Sequence, residues 1–192
     1  MKLIIASNNA HKLEEIRAIL GDSFDEILSM RDAGIEHETV EDGKTFAENA
    51  AKKAREITEL SGCCALGDDS GLCVDALNGA PGLFSARFSG VHGDDAANIR
   101  VLLEKMKGVT ERGAHFCCAM ALTWPDGRLT EAEGRFYGQI AEEPAGTGGF
   151  GYDPVFYLPE YGKTVAQLGT EFKNSVSHRH NALMALLEKL NG

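Results

Sequence analysis

Residues 66–87 read LGDDSGLCVDALNGAPGLFSAR, and the rest of the chain can be interpreted outward from them. The small apolar residues Cys63–Leu66 predict a buried strand that ends at two adjacent carboxylates, Asp68 and Asp69, and a second apolar run, Leu72–Val74, follows. In α/β proteins, ligands bind beyond the ends of strands. The stretch therefore predicts a site that holds a divalent metal and a water, to which the remaining chain brings a phosphorylated ligand.

Length and charge limit the classes of function. The 192 residues suffice for one domain with a sizeable core. Lys and Arg total 19 and Asp and Glu total 29, which gives a net charge of 19 − 29 = −10. Since no continuous cationic surface is expected, the charge argues against a nucleic-acid polymer or an anionic membrane as partner. A small anionic ligand stays compatible, because it needs only a few local cations or a metal.

Cysteine use and apolar runs predict a cytoplasmic location. The five cysteines form no C-x-x-C motif, so we expect buried free thiols in a reducing compartment. The apolar start, residues 3–6, is too short for a signal peptide. No run approaches the roughly 20 apolar residues that a membrane-spanning helix needs.

The start of the chain predicts a strand, a short polar loop and a helix. Residues 2–7 read as a buried strand, residues 8–12 as a polar turn, and the apolar spacing of Leu13–Leu20 as a helix that stops at Gly21. In this layout, helix N-terminal amides and a loop lysine can hold phosphate. An ordinary β–α turn with an asparagine cap is the alternative interpretation.

A second helix is predicted to begin at Thr45, because Thr45 and Glu48 form a T-x-x-E capping box. Glu41 and Asp42 lie just before it, where acidic loop residues are usually only solvated. The sequence Gly-Lys-Thr occurs at residues 43–45 and 162–164, but both copies lack the glycine that a P-loop requires.

The remaining pattern alternates strands and helices and predicts a single α/β domain. We expect the following elements: strand Phe24–Met30, helix Ala96–Lys107, strand Ala114–Thr123, return strand Arg128–Tyr137, a further short strand at Ile140–Glu143, a helical turn at Thr164–Leu168, and a last helix Ser175–Leu190.

A glycine-rich loop occupies residues 144–154. Its glycines match G-x-G-x-x-G, but that fingerprint must open a helix after a strand, whereas the residues from Asp153 onward read as extended. Phe150, which lies between two glycines, and Tyr152 suggest contact with a flat ring. A mobile surface loop is the alternative.

Cations gather at the predicted start of the last helix, around Lys173, His178 and Arg179. They oppose the helix macrodipole and so reduce stability there, which suggests an anion site. A solvated first turn is the alternative. His178 and His180 are two residues apart on a helix, so a paired metal site is not expected.

Six motifs occur together in a specific order and span nearly the whole chain: Ser7–Lys12, Phe46–Ala50, Asp68–Gly71, Pro81–Arg87, Gly146–Pro154 and Ser177–Arg179. In this order the chain resembles the non-canonical purine NTP pyrophosphatases, the inosine triphosphate pyrophosphatase family. The resemblance implies one domain, residues 1–192, with an elongated mixed central sheet flanked by helices and an active-site cleft between two lobes. It also implies a homodimer.

The resemblance further implies a reaction and a cofactor. The expected reaction is hydrolysis of ITP, dITP or XTP to the monophosphate and pyrophosphate, which removes these nucleotides from the pool. The expected cofactor is Mg²⁺, with Mn²⁺ as the alternative ion.

Roles for individual residues follow from the same resemblance. Asp69 would be the catalytic carboxylate, which binds metal and accepts a proton from the attacking water. Glu41 would be a second metal ligand, and Ser70 would touch substrate. The triphosphate would be gripped, with Lys12 as the point charge, by Ser7, Asn8, Asn9, Ala10, His11 and Lys12.

The base would be held by Phe150, Gly151, Tyr152 and Asp153, with Phe150 stacking. Lys173, His178 and Arg179 would contact base and phosphate. The donor that reads the 6-keto group is left open between His178, Arg179 and backbone amides near Phe150. The role of residues 85–87 is also open, because they could line the cleft or meet a second subunit.

Two other functions compete with this interpretation. One is a pyrophosphatase on a related fold that acts on modified pyrimidine nucleotides. The other is a nucleotide-binding sensor without hydrolysis, against which the presence of Asp69 and the set of lysines argues.

Overall fold

The computed structural model describes residues 2–21 and 23–191. The strands of this described part are β1 (Lys2–Ile5), β2 (Glu26–Ser29), β3 (Cys64–Val74), β4 (Gly113–Thr123), β5 (Leu129–Ile140), β6 (Phe156–Leu158) and β7 (Lys163–Thr164). Its α-helices are α1 (Ala10–Leu20), α2 (Phe46–Ser61), α3 (Asp95–Lys105), α4 (Val165–Leu168), α5 (Thr170–Val176) and α6 (His178–Asn191). Short 3-10 helices cover Asp75–Leu77, Gly82–Arg87 and Asp153–Val155.

The strands form one seven-stranded sheet in the order β2-β1-β3-β4-β5-β6-β7. β1 pairs in parallel with β2 and β3, and its Ile5 lies opposite Ser29 and Leu66. β6 pairs antiparallel with both β5 and β7. The sheet is therefore mixed, and with its flanking helices it confirms the predicted α/β class.

The chain divides into two compact units. The first comprises Met1–Asp69, Cys118–Gly134 and His178–Gly192, and the second comprises Ser70–Cys117 and Arg135–Ser177. β3, β4 and β5 each contribute residues to both units. The predicted cleft between two lobes stays a prediction.

The core of the first unit is aliphatic and lies around β1 and the first half of β3. It contains Leu3, Ile5, Ile16, Leu66, Met120, Leu183 and Leu186, all buried. In a second hydrophobic cluster, alanines of helix α2, among them Ala50 and Ala54, pack against the strands. A Cβ at Gly67 would lie 2.0 Å from the carbonyl oxygen of Ala50. Glycine in β3 and alanine in α2 thus let the two backbones approach closely.

Helix α2 begins where the sequence predicts. The Thr45 side chain accepts the Glu48 N–H at 3.1 Å, which is one half of a capping box. The Glu48 carboxylate accepts the Lys44 N–H at 2.7 Å rather than the N–H of the cap itself. The start of α2 is therefore capped as expected, although Glu48 accepts its hydrogen bond from residue 44 instead of residue 45.

The second unit has its own core, which is richer in aromatic side chains. Leu72 and Val74 of β3 pack with buried residues of α3 and its C-cap, of β4 and of the 152–158 segment, namely Ile99, Leu102, Met106, Phe116, Tyr152, Val155 and Phe156. Phe116 and Phe136 each place their ring near that of Phe156, with centroids 4.6 and 5.5 Å apart.

The prediction that a strand ends at Asp68 and Asp69 is wrong. β3 continues without a break through both carboxylates to Val74. The strand can continue because each buried carboxylate has charged or amide partners from elsewhere in the first unit, so burial does not leave an uncompensated charge. The two aspartates lie in the middle of a strand instead of in a loop.

Two other predicted boundaries also differ. The last helix is interrupted at Ser177, whose extended backbone (φ −66°, ψ 163°) separates α5 from α6, so Lys173 lies in α5 and not at the start of α6. The segment Asp153–Val155 forms a turn of 3-10 helix instead of extended chain. Pro154 fits there because proline suits the first turn of a helix.

The predicted short strand at Ile140–Glu143 is wrong as a separate element, since Ile140 is the last residue of β5.

Across residues 2–21 and 23–191, none of the helices has the length and apolar character needed to cross a membrane.

Candidate active site

Asp68 lies at the centre of a buried charge cluster in the first unit. Its Oδ1 accepts a hydrogen bond from Lys12 Nζ, and its Oδ2 accepts from Arg179 Nε at 2.9 Å and from the Cys118 thiol at 3.2 Å. Arg179 Nη1 also donates to Glu15. Two cations predicted to contact substrate therefore converge on this carboxylate.

The cluster keeps Asp68 ionised. Burial alone would raise its pKa, but the Arg179 guanidinium and the Lys12 ammonium outweigh burial and hold the pKa well below the usual 3.8. The same carboxylate contributes to the raised pKa of Arg179, which is only 1% exposed. Arg179 thus has a positioning role in this structure, and its contact with a phosphate stays a prediction.

Asp69 faces a separate set of partners. Its Oδ2 accepts a hydrogen bond from the Asn49 side-chain amide at 3.0 Å, and its Oδ1 lies 3.4 Å from Lys53 Nζ. Lys53 Nζ also donates to Glu41 Oε1 at 2.7 Å. One lysine of α2 therefore brings together the two carboxylates that are predicted to bind metal.

The environment gives Asp69 a greater affinity for a proton than an ordinary aspartate has. Burial raises its pKa, and the nearby Lys53 and Lys12 offset this only in part. For Lys53, burial would lower the pKa, but the carboxylates of Asp69 and Glu41 more than compensate and raise it. A buried carboxylate with a raised pKa beside a permanent cation suits a general base.

The loop that carries Glu41 is attached to α2 by side chains. Lys52 Nζ donates to the Val40 carbonyl at 2.7 Å, and Glu56 Oε2 accepts from Thr39 Oγ1 at 2.5 Å. Successive turns of one helix thus hold the loop on which Glu41 depends for its position.

The loop between β1 and α1 lies at the start of a helix, as predicted. Asn9 caps α1 by accepting the Lys12 N–H at 3.2 Å, and Ser7 Oγ accepts the Asn9 N–H at 3.2 Å. Asn8, Asn9, Ala10 and His11 are exposed. An exposed helix N-terminus with a lysine in its first turn suits an anionic group.

In the second unit, a buried ion pair organises the glycine-rich loop. Lys173 Nζ donates to Asp153 Oδ2 at 2.7 Å, and the same oxygen accepts the Phe150 N–H at 2.9 Å. Lys173 Nζ also lies 4.0 Å from the centroid of the Phe150 ring. Lys173 therefore contacts residues of the loop, and through these contacts it orients Phe150.

Ser85 connects three parts of the second unit. Its hydroxyl donates to Gly82 O at 2.6 Å and accepts the Leu72 N–H at 2.9 Å. Its carbonyl accepts a hydrogen bond from the buried Tyr152 hydroxyl at 2.8 Å. The segment around Ser85 therefore links β3, just beyond Ser70, to the loop that carries Phe150.

The predicted residues are distributed over the two units. The first unit contains Ser7, Asn8, Asn9, Ala10, His11, Lys12, Glu41, Asp69, His178 and Arg179. The second contains Ser70, Phe150, Gly151, Tyr152, Asp153 and Lys173. His178 is buried in the first turn of α6. Lys12 and Arg179 share the partner Asp68, and Glu41 and Asp69 share the partner Lys53. Phe150 lies beside Lys173.

Sequence reasoning missed Asn49 and Lys53. Both belong to the motif FAENAAKKA, in which Glu48 was interpreted only as a cap. The two residues are four apart and thus share a helix face, and both are buried, at 3% and 8% exposure. Asparagine and lysine on a helix face that otherwise carries alanine are the signal that could have identified them.

The donor set for a metal is small. Within the described ranges, His, Cys, Asp and Glu side chains do not gather in groups of three or more that could hold a metal ion. Glu41 and Asp69 nevertheless both contact Lys53 Nζ, so two carboxylates lie beside a position where a cation, the lysine ammonium, is already bound. Mg²⁺ is commonly bound through one or two carboxylates and keeps several waters. The residues therefore fit Mg²⁺ or Mn²⁺.

Fold and site together define an α/β protein with a buried acidic centre suited to a cation. The chain belongs to the Ham1 family, whose model matches residues 3–189.

Curated relatives cover nearly the whole chain. A protein of Clostridium perfringens named dITP/XTP pyrophosphatase is 49% identical to it, and the match covers 100% of this chain and 98% of the relative. A protein of the same name from Streptomyces coelicolor is 47% identical, with coverage of 97% and 95%.

Solved structures are similar over the same extent. The Ham1 protein of Staphylococcus aureus matches with a TM-score of 0.90 and 39% identity, and the match covers 100% of this chain and 99% of that one. The nucleoside-triphosphatase, or dITP/XTP pyrophosphatase, of Mycobacterium abscessus matches with a TM-score of 0.79 and 46% identity, over 99% and 100% of the two chains.

Proposed function

We propose that this protein hydrolyses non-canonical purine nucleoside triphosphates, namely ITP, dITP and XTP, to the monophosphate and pyrophosphate. One structural observation carries the proposal: Glu41, in the loop before α2, and Asp69, in the middle of the buried strand β3, converge on Lys53 of α2. The names of the curated relatives, which match along nearly their full length, support the same reaction and substrate class.

Asp69 is the residue proposed to act on water. Burial raises its pKa, so its carboxylate has a stronger tendency to take a proton than an exposed aspartate has. The Asn49 amide holds one oxygen of Asp69 and so orients the other. Asp68, which is buried and ionised, pairs with Lys12 and Arg179 and holds them in place instead of taking part in proton transfer.

Mg²⁺ is the proposed cofactor, with Mn²⁺ as the alternative, and Glu41 and Asp69 would hold it. When bound, it would neutralise charge on phosphate oxygens. Lys12, at the first turn of α1, would bind the triphosphate as a point charge. The half-buried Ser7 and the exposed residues from Asn8 to His11 would supply backbone amides and polar side chains.

Stacking on the base is assigned to Phe150 in the second unit. The Phe150 ring has the Lys173 ammonium near it at 4.0 Å and would stack on the purine. A site that donates to a 6-keto oxygen would leave a buried polar group unpaired with a 6-amino purine, which disfavours ATP. His178, Arg179 and backbone amides near Phe150 stay the candidate donors.

We further propose that the protein is a cytoplasmic homodimer. Its five cysteines, all within the described residues, form no disulfide bond, which fits a reducing compartment. The homodimer rests on the resemblance described above, and the sedimentation of the purified protein would test it.

The proposal is tested by steady-state kinetics with pyrophosphate detection across ITP, XTP, dITP, ATP, dUTP and a methylated pyrimidine nucleotide. We expect kcat/KM for the three non-canonical purines to exceed that for ATP by at least about 100-fold, and turnover to stop on addition of EDTA and return with Mg²⁺. Preference for a pyrimidine nucleotide would contradict the substrate class. Nucleotide binding without pyrophosphate release would contradict the enzymatic function.

A further inference from the structure

The glycine-rich loop is held by a carboxylate that the proposed chemistry does not use. Asp95 Oδ2 accepts a hydrogen bond from the Gly151 N–H at 2.7 Å, across 56 residues of sequence. Asp95 is the first residue of α3. The contact therefore joins the start of one helix to a distant loop within the second unit.

This contact, together with the hydrogen bond that Asp153 accepts, fixes the backbone of Phe150. The Phe150 N–H is bound by Asp153 at 2.9 Å, and the following N–H, that of Gly151, is bound by Asp95. These two amides belong to the peptide planes on either side of the Phe150 Cα. Because rotation of these planes is what changes φ and ψ, the two carboxylates together set the backbone of Phe150 and the direction in which its side chain leaves the backbone.

The side chain of Asp95 is not needed to cap its own helix. Asp94 caps α3, because its Oδ1 accepts the Ala97 N–H at 2.9 Å. Both aspartates are exposed and adjacent, yet their hydrogen bonds differ: one stabilises the helix and the other binds the loop. The pair therefore offers a matched comparison.

We propose that Asp95 is a positioning residue for recognition of the nucleobase, acting through Gly151 and Phe150. The inference rests on the proposed function, since it concerns binding of the base by Phe150. Asp95 has no part in water activation, so its loss is expected to weaken substrate binding and leave the chemical step unchanged.

The experiment compares Asp95→Ala, Asp95→Asn and Asp94→Ala in the full chain with ITP as substrate. We expect Asp95→Ala to raise KM about three- to tenfold, as loss of one charged hydrogen bond at an exposed site implies, while kcat changes less than twofold. Asp95→Asn keeps an acceptor oxygen and should recover part of the loss. Asp94→Ala should lower the thermal midpoint and leave KM unchanged.

Amide hydrogen exchange at Gly151, measured without nucleotide, tests the contact independently of turnover. Exchange should be faster in Asp95→Ala than in the wild type and unchanged in Asp94→Ala. Equal exchange in all three proteins, an unchanged KM in Asp95→Ala, or equal KM increases in both alanine variants would overturn the inference. Failure of the wild type to hydrolyse ITP would instead contradict the proposed function.

Discussion

The Asn49 side-chain amide donates a hydrogen bond to Asp69 Oδ2 at 3.0 Å. Its carbonyl oxygen accepts the Gly43 N–H at 2.8 Å, so the same side chain fixes the proposed general base and the loop that carries Glu41. Asn49 reaches both because Gly67 and Ala50 allow β3 and α2 to pack closely. The proposed chemistry thus depends on a helix that contributes no catalytic group of its own.

Asn49→Ala should lower kcat and shift its pH dependence. The Asn49 hydrogen bond lowers the pKa of Asp69, so its removal raises that pKa further, and the acidic limb of the pH–rate profile moves to higher pH. We expect kcat at neutral pH to fall by about tenfold or more. Asn98→Ala is the control, because Asn98 is a similarly buried asparagine that binds the Ser89 N–H in the second unit. An acidic limb that stays in place in Asn49→Ala would be evidence against this role.

Gly67→Ala should strongly destabilise the protein. A Cβ at residue 67 would lie 2.0 Å from Ala50 O and 3.1 Å from Ala54 N, so strand and helix must separate. We expect a loss of about 3 kcal/mol in the free energy of unfolding, measured with urea. Gly62→Ala, which introduces a Cβ into open space at φ +65°, is the control and should cost about 1 kcal/mol. Equal losses in both variants would contradict the close packing of α2 on β3.

Asp68→Asn should destabilise the protein in a pH-dependent way. At pH 7 it leaves the buried Arg179 and the half-buried Lys12 without their shared carboxylate, at a cost of about 3–5 kcal/mol in the free energy of unfolding. The folded-state pKa of Asp68 lies below the usual 3.8, so its contribution is complete above the unfolded-state pKa and is lost as the pH falls through the folded-state pKa.

The difference in unfolding free energy between the wild type and Asp68→Asn should therefore shrink when urea titrations are repeated from pH 5 to pH 3. Asp126→Asn is the control, since Asp126 pairs with Arg128 on the surface. A difference that stays constant or grows toward acid pH would show that Asp68 is not ionised in the folded protein.

Phe150→Ala should weaken binding of the nucleotide more than the chemical step. Loss of one stacked base is worth about 1–3 kcal/mol, so KM for ITP should rise by about tenfold or more while kcat stays within about threefold. Phe84→Ala is the control, because Phe84 is an exposed phenylalanine that also has a cation, Arg87, over its ring. An equal KM for wild type and Phe150→Ala would remove Phe150 from the site.

Local patterns predicted most of the elements. Thr45 and Glu48 mark the start of α2, the apolar run 114–123 gives β4, and Asn9 caps α1. These signals depend on neighbours in sequence, where periodicity and capping act. The resemblance drawn from the ordered motifs supplied the family, which the matches over residues 3–189 confirm.

Contacts between residues that are distant in sequence determine the features that local patterns could not predict. β3 continues through Asp68 because Lys12 and Arg179 compensate its buried charge. These partners lie 56 and 111 residues away, so the sequence around Asp68 does not indicate them. Asn49 and Lys53 were missed for the same reason, since a polar residue in a helix reveals its role only when the strand beside it is known. Ser177 ends α5 through its backbone conformation, which the apolar periodicity of the following helix concealed.

Pyrophosphate release from ITP by wild-type protein and Asp69→Asn, assayed with Mg²⁺ at saturating nucleotide, tests the central claim most directly. Asparagine keeps the shape and a hydrogen-bond acceptor at position 69 but cannot take a proton from water. We predict that kcat falls by at least about 100-fold, while the circular dichroism spectrum and thermal midpoint stay close to those of the wild type. A folded Asp69→Asn protein with near-normal kcat would contradict the assignment of Asp69 as the general base.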